Sequence, residues 1–266
     1  MYSSVRSFTY SNGKISSASS HLIIEAPLEI AINDVTNIMI MFTPGMTREL
    51  VTGFIFTEGL IDKVSDIEEC IISAEEEVDN ELIIKARVTI SSKVSEISGI
   101  KGNRVSYSSC GICGKENYYD LKKGLSRVKS RHRFSMEVLK LLPQRLGKHQ
   151  PLYQKTGGAH AAVLLDSEGS PLLYSEDMGR HNALDKVIGA SLIKGIYFYD
   201  KILLSSGRAS LEMILKTARA GVPVFVAMSR PTSRALEAAK FYNITLLDMA
   251  KWSNRIYSHV RRIEGF

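Results

Sequence analysis

The chain has 266 residues, 44% of them hydrophobic and 23% charged, which suits a soluble globular protein with one large domain or two modest ones. No apolar run approaches the roughly 18 residues of a membrane span, the first ten residues lack a signal-peptide pattern, and three cysteines, one left over, argue against a disulfide-stapled secreted fold; a reducing cytoplasm is the expected location. The net charge of +6 and pI near 9.1 favour an anionic partner, but the basic runs LKKGLSRVKSRHRF and VRRI lack interleaved aromatics, so nucleic-acid binding is not expected.

Residues 1–105 read as a small α+β domain. TRELVTGFIFTEGLI places Leu50, Val51, Phe54 and Ile55 at helical spacing, with Thr47 as the expected N-cap. ELIIKARVTI alternates Leu82, Ile84, Ala86, Val88 and Ile90 against Lys85, Arg87 and Thr89, the pattern of a half-buried strand. Residues 106–133 read as a connecting loop with little periodicity, and long loops of this kind are often functional. It carries Cys110 and Cys113 in a C-x-x-C spacing among glycines and serines. Half of a metal site, a redox disulfide and a sulfur-carrying thiol are all open at this point. A structural zinc needs four ligands, and one pair exists per chain unless a dimer shares two. A thioredoxin-like pair would open a helix after a strand, which this stretch does not suggest.

Residues 134–266 read as an α/β domain. AHAAVLLD and SPLLYSED form a strand pair around Ser167–Gly169. KILLS, VPVFVAM and ITLLD read as strands. Between them lie the helices RASLEMILKTARA, with Leu211, Ile214, Leu215 and Ala218 on one face, and TSRALEAAKFY, opened by Thr232 or Ser233. The β-α-β-α-β order implies parallel strands, right-handed crossovers and a three-layer α/β/α sandwich.

Ligands of such sheets sit beyond the carboxyl ends of the strands. There the chain places SSGR (Ser205, Ser206, Gly207, Arg208), SRPTS (with Ser229, Arg230 and Thr232) and MAKWSN (Met249, Ala250, Lys251, Trp252, Ser253, Asn254). Small residues let a phosphate approach the backbone, helix N-termini favour anions, and Arg208, Arg230 and Lys251 add positive charge. Trp252 can stack on a heterocyclic base. Two further stretches carry candidate binding residues: KTGGAHAA, with His160, and EDMGRHNALDK, with Arg180 and His181. The plain alternative for the second stretch is a capped, salt-bridged helix start with Asn182, Asp185 and Lys186 merely solvated. Cys70, His21, His132, His149 and His259 have no companions that suggest chemistry.

TGGAHAA, SEDMGRHNALDKVIG, SSGRASLEMILKTARAGVPVFVAMSRPTS, SSCGICGK and the early RELVTGFIFTEGLI together resemble the formate dehydrogenase accessory sulfurtransferase family (FdhD), over about residues 22–263. The resemblance implies a cytidine deaminase-like fold and a homodimer. It implies transfer of sulfur from a cysteine desulfurase to a molybdenum (or tungsten) bis(molybdopterin guanine dinucleotide) cofactor, bound as substrate and destined for formate dehydrogenase. The persulfide would form in the Cys110/Cys113 loop, with Lys101, Arg104 and Lys115 lowering the thiol pKa. The guanine-dinucleotide site would include Met249–Asn254, where MAKWSN replaces a glycine-rich, arginine-containing segment. Hydrolytic deamination does not fit, because His160-Ala161-Ala162 lacks the glutamate of H-x-E and no later P-C-x-x-C follows. The alternative is a cofactor-binding chaperone whose C-x-x-C is structural or redox-active. No permanently held metal is expected.

Overall fold

The computed structural model describes residues 1–76, 82–91, 104–105, 124–250 and 253–266. The readings of Cys110, Cys113, Lys101, Lys115, Lys251 and Trp252, and of the connecting loop up to residue 123, lie outside the described residues.

The chain opens with an antiparallel hairpin, β1 (Tyr2–Ser11) and β2 (Lys14–Ile23). Asn12 and Gly13 turn it with φ of 51° and 77°, the paired positive φ that a tight hairpin turn demands. A five-stranded sheet follows, in the order β5 (Ile67–Glu76), β6 (Leu82–Ile90), β3 (Ala26–Ile32), β4 (Thr36–Phe42), β7 (Arg104–Val105). The alternation expected for residues 82–90 is that of β6, and in β3 Ala26, Leu28, Ile30 and Ile32 all face inwards. Helix α1 (Thr47–Thr57) sits behind this sheet. Thr47 is its first helical residue; the N-cap position belongs to Met46, at φ 53°, and no side chain caps it.

The second sheet has six strands, ordered β13 (Arg255–Ile256), β12 (Thr245–Asp248), β11 (Val224–Ser229), β10 (Ile202–Arg208), β8 (His160–Leu165), β9 (Pro171–Asp177). Strands β10, β11 and β12 are parallel neighbours, as their sequence order requires. In chain order the remaining helices are α2 (Met136–Lys148), α3 (Pro151–Thr156), α4 (Arg180–Ile193), α5 (Leu211–Ala220) and α6 (Ser233–Tyr242). Gly221 and Asn243 end α5 and α6 in the left-handed region, at φ 77° and 61°. Thr232 caps α6 by accepting the Ala235 N–H at 3.2 Å.

Side chains of the six-stranded sheet alternate between two apolar clusters. Val163, Leu165, Ile202, Leu204 and Val226 meet Leu139, Leu142 and Leu146 of α2. Ala162, Leu164, Leu203, Phe225 and Leu246 meet α4, α5 and α6. The latter cluster continues through Leu50, Val51 and Ile55 of α1 to Leu28, Ile30 and Phe42 of the five-stranded sheet. The two halves thus meet at α1 and α4, and they meet at backbone distance. A Cβ on Gly53 would lie 1.9 Å from the Asp185 carbonyl oxygen, and one on Gly189 would lie 1.9 Å from that of Glu49. Only glycine permits this crossing.

Candidate functional site

The carboxyl ends of β10, β11 and β12 share an edge with the start of β8 and the end of β9. Antiparallel pairing sets Ser205 beside Ala162 and His160 beside Asp177. Helix α4 begins three residues after Asp177, so Arg180 and His181 reach the same edge. Expected binding residues from four separate segments therefore converge.

Ser205–Arg208 continues β10, with a register shift, instead of forming the expected loop. Ser206 ties the neighbouring strand: its Oγ accepts the Ala161 N–H at 2.8 Å and lies 3.2 Å from His160 Nδ1. The hydroxyl proton is then free to go to Nδ1 of a neutral ring. Burial holds the His160 pKa below its ordinary value, the nearby Arg180 and His181 push the same way, and Asp177 opposes them. Gly207 makes room for Arg180, since a Cβ there would lie 3.0 Å from Arg180 Cδ. The Arg180 Nε is buried without a hydrogen-bond partner, and among the described residues no carboxylate pairs with this guanidinium.

His181 lies below this rim. Its Nε2 is 2.9 Å from Glu212 Oε2 and 3.4 Å from Ser210 Oγ, while Glu212 Oε1 is buried without a partner. Arg208 and Arg230 are exposed, and Arg208 pairs in register with Ser229. Thr232 is drawn in by its N–H bond to the Ala209 carbonyl at 3.0 Å. At the end of β12, Asp248 shapes the turn by accepting the Ala250 N–H at 2.7 Å and, through its carbonyl, the Ser253 hydroxyl at 3.0 Å. Met249 points its side chain into the apolar cluster under the edge, and Asn254 is exposed at φ 40°.

Asn182, Asp185 and Lys186 are not solvated; all three are buried. Lys186 pairs with Asp177 at 2.7 Å and donates to the Thr43 carbonyl at 2.7 Å. Burial pushes the Lys186 pKa down, against the pull of Asp177. Asp177 also accepts the Thr43 N–H at 3.1 Å, and Asn182 donates to Asp177 at 3.0 Å and to the Met41 carbonyl at 2.8 Å. One turn further along α4, Asp185 accepts from Lys216 at 2.7 Å and from Thr57 at 2.8 Å. Lys216 also reaches Glu58 at 3.1 Å. Burial works against the Lys216 charge, but Asp185 and Glu58 outweigh it and raise its pKa above the ordinary lysine value. These bonds fix the end of β4 and the end of α1 to the start of α4.

Glu212 and Thr43 escaped the sequence reading. Glu212 lies on the helix RASLEM, and its distance in sequence from His181 hides the pair. Thr43 carries no motif.

Strand β7 is parallel to β4, with Val105 beside Met39. It therefore runs in the same direction as β4, whose end leads to Thr43. For an anion the edge offers the Arg180 guanidinium, which has no counter-ion among the described residues, and two exposed arginines. Among the described residues, no group of three or more His, Cys, Asp or Glu could hold a metal, and no helix is long and apolar enough to cross a membrane.

Known proteins resemble this chain along most of its length. It is 38% identical over 255 residues to the sulfur carrier protein FdhD of Thermoplasma acidophilum, covering 92% of this chain and 88% of the relative. It is 37% identical over 258 residues to the protein of the same name from Picrophilus torridus, covering 91% and 92%. The namesake from Mycolicibacterium paratuberculosis is 35% identical over 256 residues, covering 91% of each. The fold is similar to a crystal structure from Desulfotalea psychrophila assigned as a formate dehydrogenase accessory protein, with a TM-score of 0.74 at 23% identity over 98% of this chain and 99% of that one. The FdhD/NarQ family model matches residues 23–264, and with these relatives it shows that the chain belongs to the FdhD/NarQ family.

Proposed function

We propose that this protein is a sulfur carrier for formate dehydrogenase maturation. It accepts persulfide sulfur from a cysteine desulfurase and passes it to a molybdenum (or tungsten) bis-guanine-dinucleotide pterin held as substrate in the crevice. Its relatives are named sulfur carriers. The observation that carries the reading is Arg180, whose buried Nε has no hydrogen-bond partner and whose guanidinium has no counter-ion among the described residues, at the sheet edge where His160, Ser206 and Gly207 meet. Cys110 is the fifth residue after Val105. A cytoplasmic location, a homodimer and the likeness to cytidine deaminases belong to the same reading.

One cysteine thiolate attacks the outer sulfur of the donor persulfide. The donor S–S bond breaks, the donor leaves as a thiolate, and the carrier holds Cys–S–SH. For release, the second cysteine thiolate attacks the inner sulfur. A Cys110–Cys113 disulfide forms and hydrosulfide departs with two electrons supplied by that thiolate; a cellular dithiol then resets the pair. Arg180, Arg208 and Arg230 hold the phosphates of the acceptor, and the neutral His160 adds a donor that becomes cationic when an anion arrives.

Reconstitution of formate dehydrogenase activity in cells lacking their own carrier tests the reading. The C110A/C113A variant, folded and expressed at the wild-type level, is expected to give no activity. Full activity from that variant would favour a cofactor-binding chaperone instead.

A further inference from the structure

The two basic runs of the sequence are unused by the crevice, yet they meet in space. Residues 127–133 alternate exposed Arg127, Lys129, Arg131 and Arg133 with the more buried Val128, Ser130 and His132. The Val128 N–H donates to the Tyr242 carbonyl at 2.9 Å, and the Asn243 side chain donates to the Val128 carbonyl at 2.7 Å, which pins the segment to the end of α6. Phe134 then bridges to Ile263. Arg131, His132 and Arg133 are thereby set against His259, Arg261 and Arg262 around an open cleft of about 560 Å³. Asn243 and Pro223 precede β12 and β11, so this cleft lies at the amino ends of the parallel strands, the edge opposite the crevice.

Among the described residues, no carboxylate lines the cleft. Arg262, only 8% exposed, donates to three neutral oxygens: Thr245 Oγ1 at 2.9 Å and the Pro223 and Ser130 carbonyls at 3.3 and 3.4 Å. Among the described residues it has no counter-ion, and neither do the exposed Arg131 and Arg261. A buried guanidinium without an anion is costly, and an incoming carboxylate relieves that cost. The surroundings indicate what carries the carboxylate. Tyr199, Phe241, Val260 and Phe266 are exposed nearby. Tyr199 accepts the Arg131 N–H at 3.3 Å, Phe241 precedes the Tyr242–Asn243 wall, and Arg133 donates to the Phe266 main-chain oxygen at 2.9 Å. A small phosphate would leave these aromatics unused. Arginine interleaved with tyrosine and phenylalanine is the composition of a protein-binding surface.

We propose that this cleft docks an acidic segment of a partner protein, whose carboxylates meet Arg131, Arg261 and Arg262 and whose apolar residues cover Val260, Phe241 and Phe266. The site is separate from the crevice and does not depend on the sulfur-carrier reading.

The test uses the isotope-labelled full chain and a glutamate-rich peptide carrying one phenylalanine, followed by NMR at low salt. Amide shifts are expected to concentrate at residues 130–133, 243 and 259–262. The R131E/R261E variant is expected to bind about tenfold more weakly or worse while GDP binding at the crevice is unchanged. Neither side chain makes an internal hydrogen bond among the described residues, so the variant should melt like the parent; R131Q/R261Q serves if it does not. The R6E/K14E control makes the same change in net charge on the β1–β2 hairpin and is expected to keep wild-type affinity. Equal losses in both variants would reduce the effect to net charge and overturn the site. Shifts centred elsewhere would overturn it too, as would displacement of the peptide by an equal concentration of inorganic phosphate, which would make the cleft a small-anion site.

Discussion

Arg180 holds a charge that the described chain leaves unanswered, and His160 is kept neutral beside it. This pairing leads to two predictions. Arg180 makes no internal hydrogen bond or ion pair among the described residues, so R180A should change stability by no more than about 0.5 kcal/mol. It should still weaken GDP binding about tenfold or more, because charge-assisted hydrogen bonds to phosphate contribute about 1.5–3 kcal/mol. Calorimetry on the folded variant checks this, and undiminished affinity would remove Arg180 from the site. The second prediction concerns protons. The folded pKa of His160 lies below its unfolded value, so on acidification the unfolded chain binds the proton first. Stability therefore falls as pH drops through the ordinary histidine range near about 6.5, and H160Q should lose less over that window. Bound diphosphate supplies the opposite charge, so the NMR titration midpoint of His160 should move up when GDP is added. A midpoint that stays put would place the phosphates elsewhere.

At the scale of elements, the β10–α5–β11–α6–β12 run was legible in the sequence because each element carries its own signal. Leu211, Ile214, Leu215 and Ala218 repeat at helical spacing, Gly221 and Asn243 mark stops, and Thr232 marks a start. The strand pair of residues 160–177 was legible as a hairpin, but its place beside β10 was not, because pairing of distant strands leaves no local pattern. The α1–α4 crossing was equally hidden. Gly53 and Gly189 carry no sequence signal of their own, and their contact is what explains them. G53A or G189A should therefore destabilise the protein by about 3 kcal/mol or more, as overpacking against backbone does. Thermal or urea unfolding reads this, and a wild-type midpoint would deny the close approach. In the polar run EDMGRHNALDK a solvated helix start is open from sequence, because no local pattern shows that α1 and β4 cover it. K216M leaves the buried Asp185 without its cation and should cost about 3–5 kcal/mol. The K216M/D185L double variant should recover much of that loss. If the single variant were as stable as the parent, the ion pair would have no structural role.

For the molecule as a whole, one apolar cluster joins the two sheets, and the polar bonds of Thr43, Thr57 and Glu58 to α4 and α5 lock the five-stranded half onto the six-stranded half. The chain thus holds His160, Ser206, Arg180 and His181 together at one edge of the larger sheet. Sequence motifs placed several of the expected residues at one edge of the sheet, because βα junctions of parallel strands necessarily share it. They did not locate Glu212, the burial of the Met249 side chain, or the basic cleft formed where residues 127–133 meet 259–262. The central claim is that Cys110 or Cys113 receives a sulfur atom. Intact mass spectrometry after incubation with a cysteine desulfurase and cysteine tests it most directly. The account predicts one added sulfur per chain, removable by a thiol reductant and absent from C110A/C113A. A folded wild-type protein of unchanged mass, alongside an active desulfurase, would contradict it.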